Sequence, residues 1–512
     1  MAQALRPYKF SQNRQTAVCL VLLLFAAALL LIAGSDGWFR ISTPLSDRAW
    51  FAMCGKSWMS GLTPYVDFTD SKGPLLWTIY GIGYLISPTT LHGLFIFELL
   101  VYWATFYFLY KAAMAFVKNQ TKALLASMLC SLLFFPPGIH EEMLVEDYMH
   151  AANALSLFVM IRVFKDGSFQ LLYPLLMGLF AGALLMMKYL YFFTLLVPAF
   201  AILIYLLFRK DISRFIKSAL LYIGGILIIS VPFIIYLHSV GALNAFIGEY
   251  FLNTAGTVAM LSGSPQSSPI ATFTPFLSVL FSKHIVTLFL WVILIGLALS
   301  VYLFRKQKWL WITIIGWFVV SFIPCSIMGV ERMNYFLNLS IFGFGGLLLL
   351  VRRIPETTLA GSIIYGAVIL SIIILYTTFC KFSEFYDVER AKRYNEAMLE
   401  SAAVINNLES KIGRRPTLAY FMESEKGDHL LTNAVAGTRY WSLQAGMTPE
   451  MLDRHKTEIL SSRPDVIITR DSNTSEGDSI RSLLEGVGYK KELSYTPLPS
   501  SPPLALYTLI QQ

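Results

Sequence analysis

Apolar stretches alternate with short polar connections from residue 16 to residue 379, and from Lys381 onward that rhythm stops. A helix needs about 17–25 mostly apolar residues to cross a bilayer. Runs at 16–32, 91–117, 123–135, 150–164, 171–187, 193–208, 215–237, 285–304, 309–327, 335–351 and 359–379 meet or approach that length. They predict an all-α polytopic membrane domain with about 11 transmembrane helices.

The basic residues fix a consistent orientation. Cytoplasmic loops carry an excess of Lys and Arg. With the N-terminus cytoplasmic, Lys118 with Lys122, Arg162 with Lys165, Arg209 with Lys210, Arg305 with Lys306 and Lys308, and Arg352 with Arg353 all fall inside. One missed span would invert every later cluster. The run 16–32 follows Arg6, Lys9 and Arg14 and exceeds a signal-peptide core, so it reads as a retained signal anchor. The run 75–87, bounded by Lys72-Gly73-Pro74 and Pro88, is short for a span. It is expected as an interfacial or re-entrant helix within a long first outer loop, 33–90, where Trp38, Trp50, Trp58 and Trp77 suit the headgroup region. Further outer loops fall at 136–148 and 241–276, the latter rich in Ser, Gly and Pro.

Beyond residue 380 the chain is charged. Helices are expected at 390–411, 449–462 and 479–485, and strands at 417–422, 466–469 and 504–510. The alternation describes a small C-terminal α/β soluble domain. The division is 1–380 for the membrane domain and 381–512 for an extracytoplasmic domain. The tail has no Gly-rich phosphate loop, and the sequon Asn473-Thr474-Ser475 carries little weight by itself.

Composition agrees: 56% of the 512 residues are hydrophobic and 14% charged. The net charge of +8 is spread in short clusters between apolar runs, a topology signal that argues against nucleic acid as a partner. Cys19, Cys54, Cys130, Cys325 and Cys380 form no CxxC and read as packing residues.

Candidate chemistry lies in the outer loops. The first carries Asp47, Asp67, Asp70 and Lys72; the second reads His140-Glu141-Glu142-Met143-Leu144-Val145-Glu146-Asp147. Ionisable groups at span ends are functional candidates because lipid penalises them. The bland alternatives are solvated loop acids and helix caps for the carboxylates, and snorkelling for Lys188 at the mouth of a span. Glu98, just below the same interface, is a candidate partner for Lys188 or Arg332. His140 and His150 share no metal-ligand spacing.

Asp47-x-x-Trp50-Phe51-Ala52, then Gly61-x-x-Pro64-Tyr65-x-Asp67 and Asp70-x-Lys72-Gly73-Pro74, resembles the first outer loop of the C-type (GT-C) superfamily of integral-membrane glycosyltransferases. The likeness is to the bacterial branch related to protein mannosyltransferases and the lipid A aminoarabinose transferase. The acidic second loop and Arg332-x-Asn334-Tyr335-Phe336 are similar to later motifs of that superfamily. The resemblance implies an inverting transfer of sugar from a polyprenyl-phosphate donor to a lipid, glycan or protein acceptor at the outer face of the inner membrane. It implies Asp47 as the catalytic base, and Lys72 and Arg332 as cations on the leaving phosphate, with Lys188 as a second phosphate contact. Asp67, Asp70, Glu142, Glu146, Asp147 and Tyr335 complete the expected substrate-binding set. No cofactor is required by it, although the second-loop acids leave room for a divalent cation, Mg or Mn. A transporter or lipid flippase without transferase activity is the competing class. It would place charges at mid-membrane in broken helices, whereas here the acids lie in loops and no internal repeat is evident.

Overall fold

The computed structural model describes residues 12–33, 47–88, 92–136, 144–253, 285–328, 333–354, 371, 388–421, 427–442, 449–471, 475–496 and 503–510. Ten of the eleven expected runs have helical counterparts there; the run at 359–379 lies almost wholly outside the described residues. They are α1 (Gln12–Ala33), α4 (Phe95–Val117), α5 (Gln120–Leu129) with α6 (Ser131–Phe134), α7 (Val145–Phe164), α8 (Leu172–Leu185), α9 (Tyr189–Phe208) and α10 (Ile212–Ser239). After the short α11 (Leu243–Phe246) come α12 (Ile285–Phe304), α13 (Lys308–Met328), and a 3-10 segment Met333–Gly343 continuing into α14 (Phe344–Arg352).

Among the described residues, seven helical segments are long and apolar enough to cross a bilayer. The others fall short for visible reasons. The 120–134 run breaks into two helices at Cys130, α8 has 14 residues, and α7 carries Glu146, Asp147 and Arg162. The chain is a multi-pass membrane protein.

Two helices of the first loop lie at one end of this bundle. α2 (Asp47–Met59) and α3 (Pro74–Ile86) cross where Gly55 meets Gly81; a Cβ at Gly55 would sit 2.5 Å from the Gly81 nitrogen. Residues Arg48 through Ser57 of α2 are all buried, because its other face is covered by the C-terminal region.

That region is an α/β unit. α15 (Val388–Ile412), α16 (Pro449–Ser462) and α17 (Ser475–Gly486) accompany a five-stranded sheet of order β2-β1-β3-β5-β4. β1 (Thr417–Tyr420) pairs in parallel with β2 (Val435–Ala436) and β3 (Val466–Arg470), while β5 (Leu504–Leu509) runs antiparallel to β3 and β4 (Tyr489–Tyr495). Strands β2 and β4 were absent from the sequence expectation.

The unit docks on α2 through polar and aromatic contacts. Lys56 Nζ donates to the carbonyls of His429 at 2.6 Å and Thr432 at 3.0 Å, and Trp50 packs on Trp441 with ring centroids 4.4 Å apart. The Thr69 amide donates to Arg439 O at 2.9 Å, so the first loop is tied to the tail at both ends of its descent.

Candidate functional site

The site is assembled from the loop joining α2 to α3, the start of α7, and the turn between α8 and α9. Its organising contact is between backbones: Gly73 N donates to Met187 O at 2.9 Å and Leu75 N to Met186 O at 3.0 Å. A Cβ at Gly73 would fall 2.1 Å from Met186 O, so only glycine permits this approach. Pro74 then begins α3 at a position where a missing N–H costs nothing. The contact sets Lys72 against the turn that carries Lys188.

Lys188 precedes α9 and is buried. Its Nζ lies 2.8 Å from Glu146 Oε1, 3.8 Å from the centroid of the Tyr335 ring and 4.9 Å from that of Tyr191. Tyr191 Oη also donates to Glu146 Oε1 through a short hydrogen bond. Lys188 therefore pairs with Glu146 and not with Glu98, which faces the neighbourhood of Tyr148. Asp147, the next residue on α7, points to α4, where Tyr102 Oη donates to its Oδ1 at 2.7 Å. Adjacent acids on one helix cannot share a face, and here they divide between two neighbours.

In the first loop, Asp70 is buried and accepts from the Ser71 amide at 2.5 Å and from its hydroxyl at 3.2 Å. Burial lifts its carboxyl above the usual range, Lys72 pulls it back, and the charge of Asp47 raises it further. Asp47 itself is exposed at the first residue of α2. Lys72 Nζ touches Ser71 Oγ at 3.1 Å and stands 5.3 Å from the Phe51 ring centroid; among the described residues no carboxylate forms an ion pair with it. Asp67 is exposed and closes a turn by accepting from the Thr63 amide at 2.7 Å. Glu142 and Arg332 lie outside the described residues.

The structure thus gathers Asp47, Asp70 and Lys72 as one electrostatic group and Glu146, Lys188 and Tyr335 as another, and joins them through Gly73 and Met187. Asp67 and Asp147 face other partners. Among the described residues no three His, Cys, Asp or Glu side chains converge as a metal site. Glu146 Oε1 is engaged by Lys188 and Tyr191, and Asp147 Oδ1 by Tyr102.

Two contributors were not singled out in the sequence. Tyr65 is fully buried with φ of 65°, a left-handed conformation uncommon for an aromatic residue, and its hydroxyl donates to Lys72 O at 2.9 Å. Its place in Pro64-Tyr65-x-Asp67 was the available signal. Tyr191 follows Lys188 by three residues, a spacing that shares a helix face.

Residues 71–238 match the family model of the dolichyl-phosphate-mannose-protein mannosyltransferases. That window contains Lys72, Glu142, Glu146, Asp147 and Lys188. ArnT from Cupriavidus metallidurans in the apo state aligns over 97% of this chain and 100% of its own, with a TM-score of 0.53 and 14% identity. The chain shares the fold of that protein. Among curated proteins the sequence has no significant match. The family match covers part of the chain, and the structural likeness shows the fold.

Proposed function

We propose that the chain transfers a sugar from a polyprenyl-phosphate donor to a hydroxyl of a lipid, glycan or protein acceptor. The reaction would occur at the outer face of the cytoplasmic membrane, with the N-terminus inside and residues 381–512 outside. One observation carries the reading. The Gly73–Met187 contact seats an acidic loop, with a lysine that lies near Asp70 but forms no ion pair with a described carboxylate, against the buried Glu146–Lys188 pair.

In this reading the acceptor oxygen attacks the anomeric carbon as the bond from that carbon to the phosphate oxygen breaks, inverting the configuration. The acceptor proton passes to Asp47, which is exposed and so reachable from water. Negative charge grows on the departing lipid phosphate, where Lys72 and Arg332 oppose it. Asp70 holds Lys72 electrostatically, and Tyr65 fixes the backbone from which Lys72 projects. Lys188 remains held between Glu146 and the Tyr335 ring, with N–H donors left for a phosphate oxygen.

The test is transfer by purified full-length protein from a radiolabelled polyprenyl-phosphate sugar to lipid and glycan acceptors. Asp47→Asn is expected to lose about 10²–10⁴-fold in turnover with its melting temperature unchanged. Unchanged turnover would remove Asp47 from the mechanism. Absence of transfer by the native protein from every polyprenyl-phosphate sugar offered would remove the donor class.

A further inference from the structure

At the far end of the bundle, α1, α4, α7 and α8 enclose a cleft of about 540 Å³. It is well separated from the candidate active site. Arg162, which lines it, follows Glu146 by sixteen residues on α7, about 24 Å along a helix rising 1.5 Å per residue. Phe158 and Leu176 contribute to an apolar wall, while Lys111, Arg162, Gln15 and Gln170 supply polar groups. Among the described residues no Asp or Glu lines the cleft.

Lys111 is the group that needs explanation. It sits six residues before the end of α4, in an otherwise apolar run, and is only partly exposed. Among the described residues it makes no ion pair and no hydrogen bond; its charge is 5.9 Å from the Tyr107 ring centroid and is opposed by that of Arg162. Residues 1–11, which precede α1 in the sequence, contain no Asp or Glu. Arg162 donates to Asp166 at 2.6 Å and to Ser168 at 3.1 Å, which leaves part of its five-donor fork unused. Arg162 is paired with Asp166, whereas the Lys111 ammonium, set in an apolar run beside the cleft, has no ion pair among the described residues, and a charge so placed is costly unless an anion joins it.

We infer that this cleft holds an anionic phospholipid from the leaflet opposite the candidate active site, its phosphate on Lys111 and Arg162 and its chains running past Phe158 and Leu176. Basic pockets between membrane helices select anionic headgroups in this manner. The volume accommodates a headgroup and the first part of the chains, whose remainder extends into the bilayer. This site stands apart from the transferase reading, and neither depends on the other.

Native mass spectrometry of the full-length protein, released from detergent with phosphatidylglycerol, phosphatidylcholine or inorganic phosphate added, tests the inference. The native chain should retain phosphatidylglycerol in preference to the other two, and Lys111→Met should lose about tenfold in retention, the worth of one charge-assisted hydrogen bond. Leu176→Trp, which fills the cleft and leaves both cations in place, should lose it as well. That second variant decides the matter if Lys111→Met does not fold. Equal retention of phosphatidylglycerol by the native chain and the variants overturns the site. Equal retention of phosphatidylcholine overturns the role of the cations, and capture of inorganic phosphate without lipid overturns the amphiphile.

Discussion

The Lys188 ammonium lies 2.8 Å from Glu146 Oε1, joining the start of α9 to the start of α7 in a place almost closed to water. Removing one partner of such a pair strands a buried charge, at a cost of about 3–5 kcal/mol. Glu146→Gln and Lys188→Met should each lower the unfolding temperature of the purified protein markedly, and the double variant should regain much of the loss. If the double variant also regained transfer, the pair would be a structural tie without a part in chemistry.

Lys72 supplies a cation in the first loop that lies near Asp70 and forms no ion pair with a described carboxylate. Its replacement by Met should reduce turnover by about 10²–10³-fold, the scale of losing one donor on a developing anion. The variant should melt close to the native protein, since among the described residues the Lys72 side chain hydrogen-bonds to Ser71 Oγ and otherwise stands over the Phe51 ring. Arginine at this position should restore part of the rate. Turnover insensitive to Lys72→Met would move the leaving-group role elsewhere.

At Gly73 a single methyl group is the probe. Gly73→Ala places a Cβ 2.1 Å from Met186 O, and the backbone must separate to admit it. Transfer should fall with the loss of the Gly73–Met187 contact, and stability should fall by about 1–3 kcal/mol, as for other overpacked sites. Hydrogen exchange of the Gly73 and Leu75 amides, faster in the variant, would report the broken contact directly.

Lys56 predicts a pH dependence at the junction of α2 with the tail. Burial lowers its amine from 10.5 to about 7, with Arg415 acting in the same direction and Glu409 against it. Between those two values the unfolded chain holds a proton that the folded chain has released. The contribution to stability is therefore flat below pH 7 and rises as pH climbs toward 10.5. Unfolding temperatures measured from pH 7 to pH 9 should rise for the native protein relative to Lys56→Met. Parallel curves for the two proteins would show that the amine keeps its proton.

Much of the fold was legible because lipid imposes a simple rule on sequence. Apolar run length located helices to within a few residues, and 285–304 coincides with α12. The misses have physical causes. β4 reads Tyr-Lys-Lys-Glu-Leu-Ser-Tyr, an edge strand whose charged residues alternate between exposed and half-buried, and its polarity resembles a loop. β2 is two residues long and is specified by its neighbour β1.

The site was legible as composition but not as pairing. The acids and lysines of the loops stood out against an apolar background. That Glu146 would choose Lys188 over any other cation, or that Gly73 would rest on Met187, depends on how α7, α8 and α9 pack. No local pattern encodes such a contact between segments so far apart along the chain. Tyr65 is a further case: its left-handed backbone is imposed by the fold around it.

The burial of α2 beneath the sheet also bears on the order of synthesis. The ribosome delivers Asp47 and Lys72 early, yet Trp50 waits for Trp441 and Lys56 for the carbonyls of His429 and Thr432. A nascent chain already threaded through the bilayer still lacks the roof of its first loop until residues 429–441 have been made. Termination before His429 should therefore silence the first loop, far upstream.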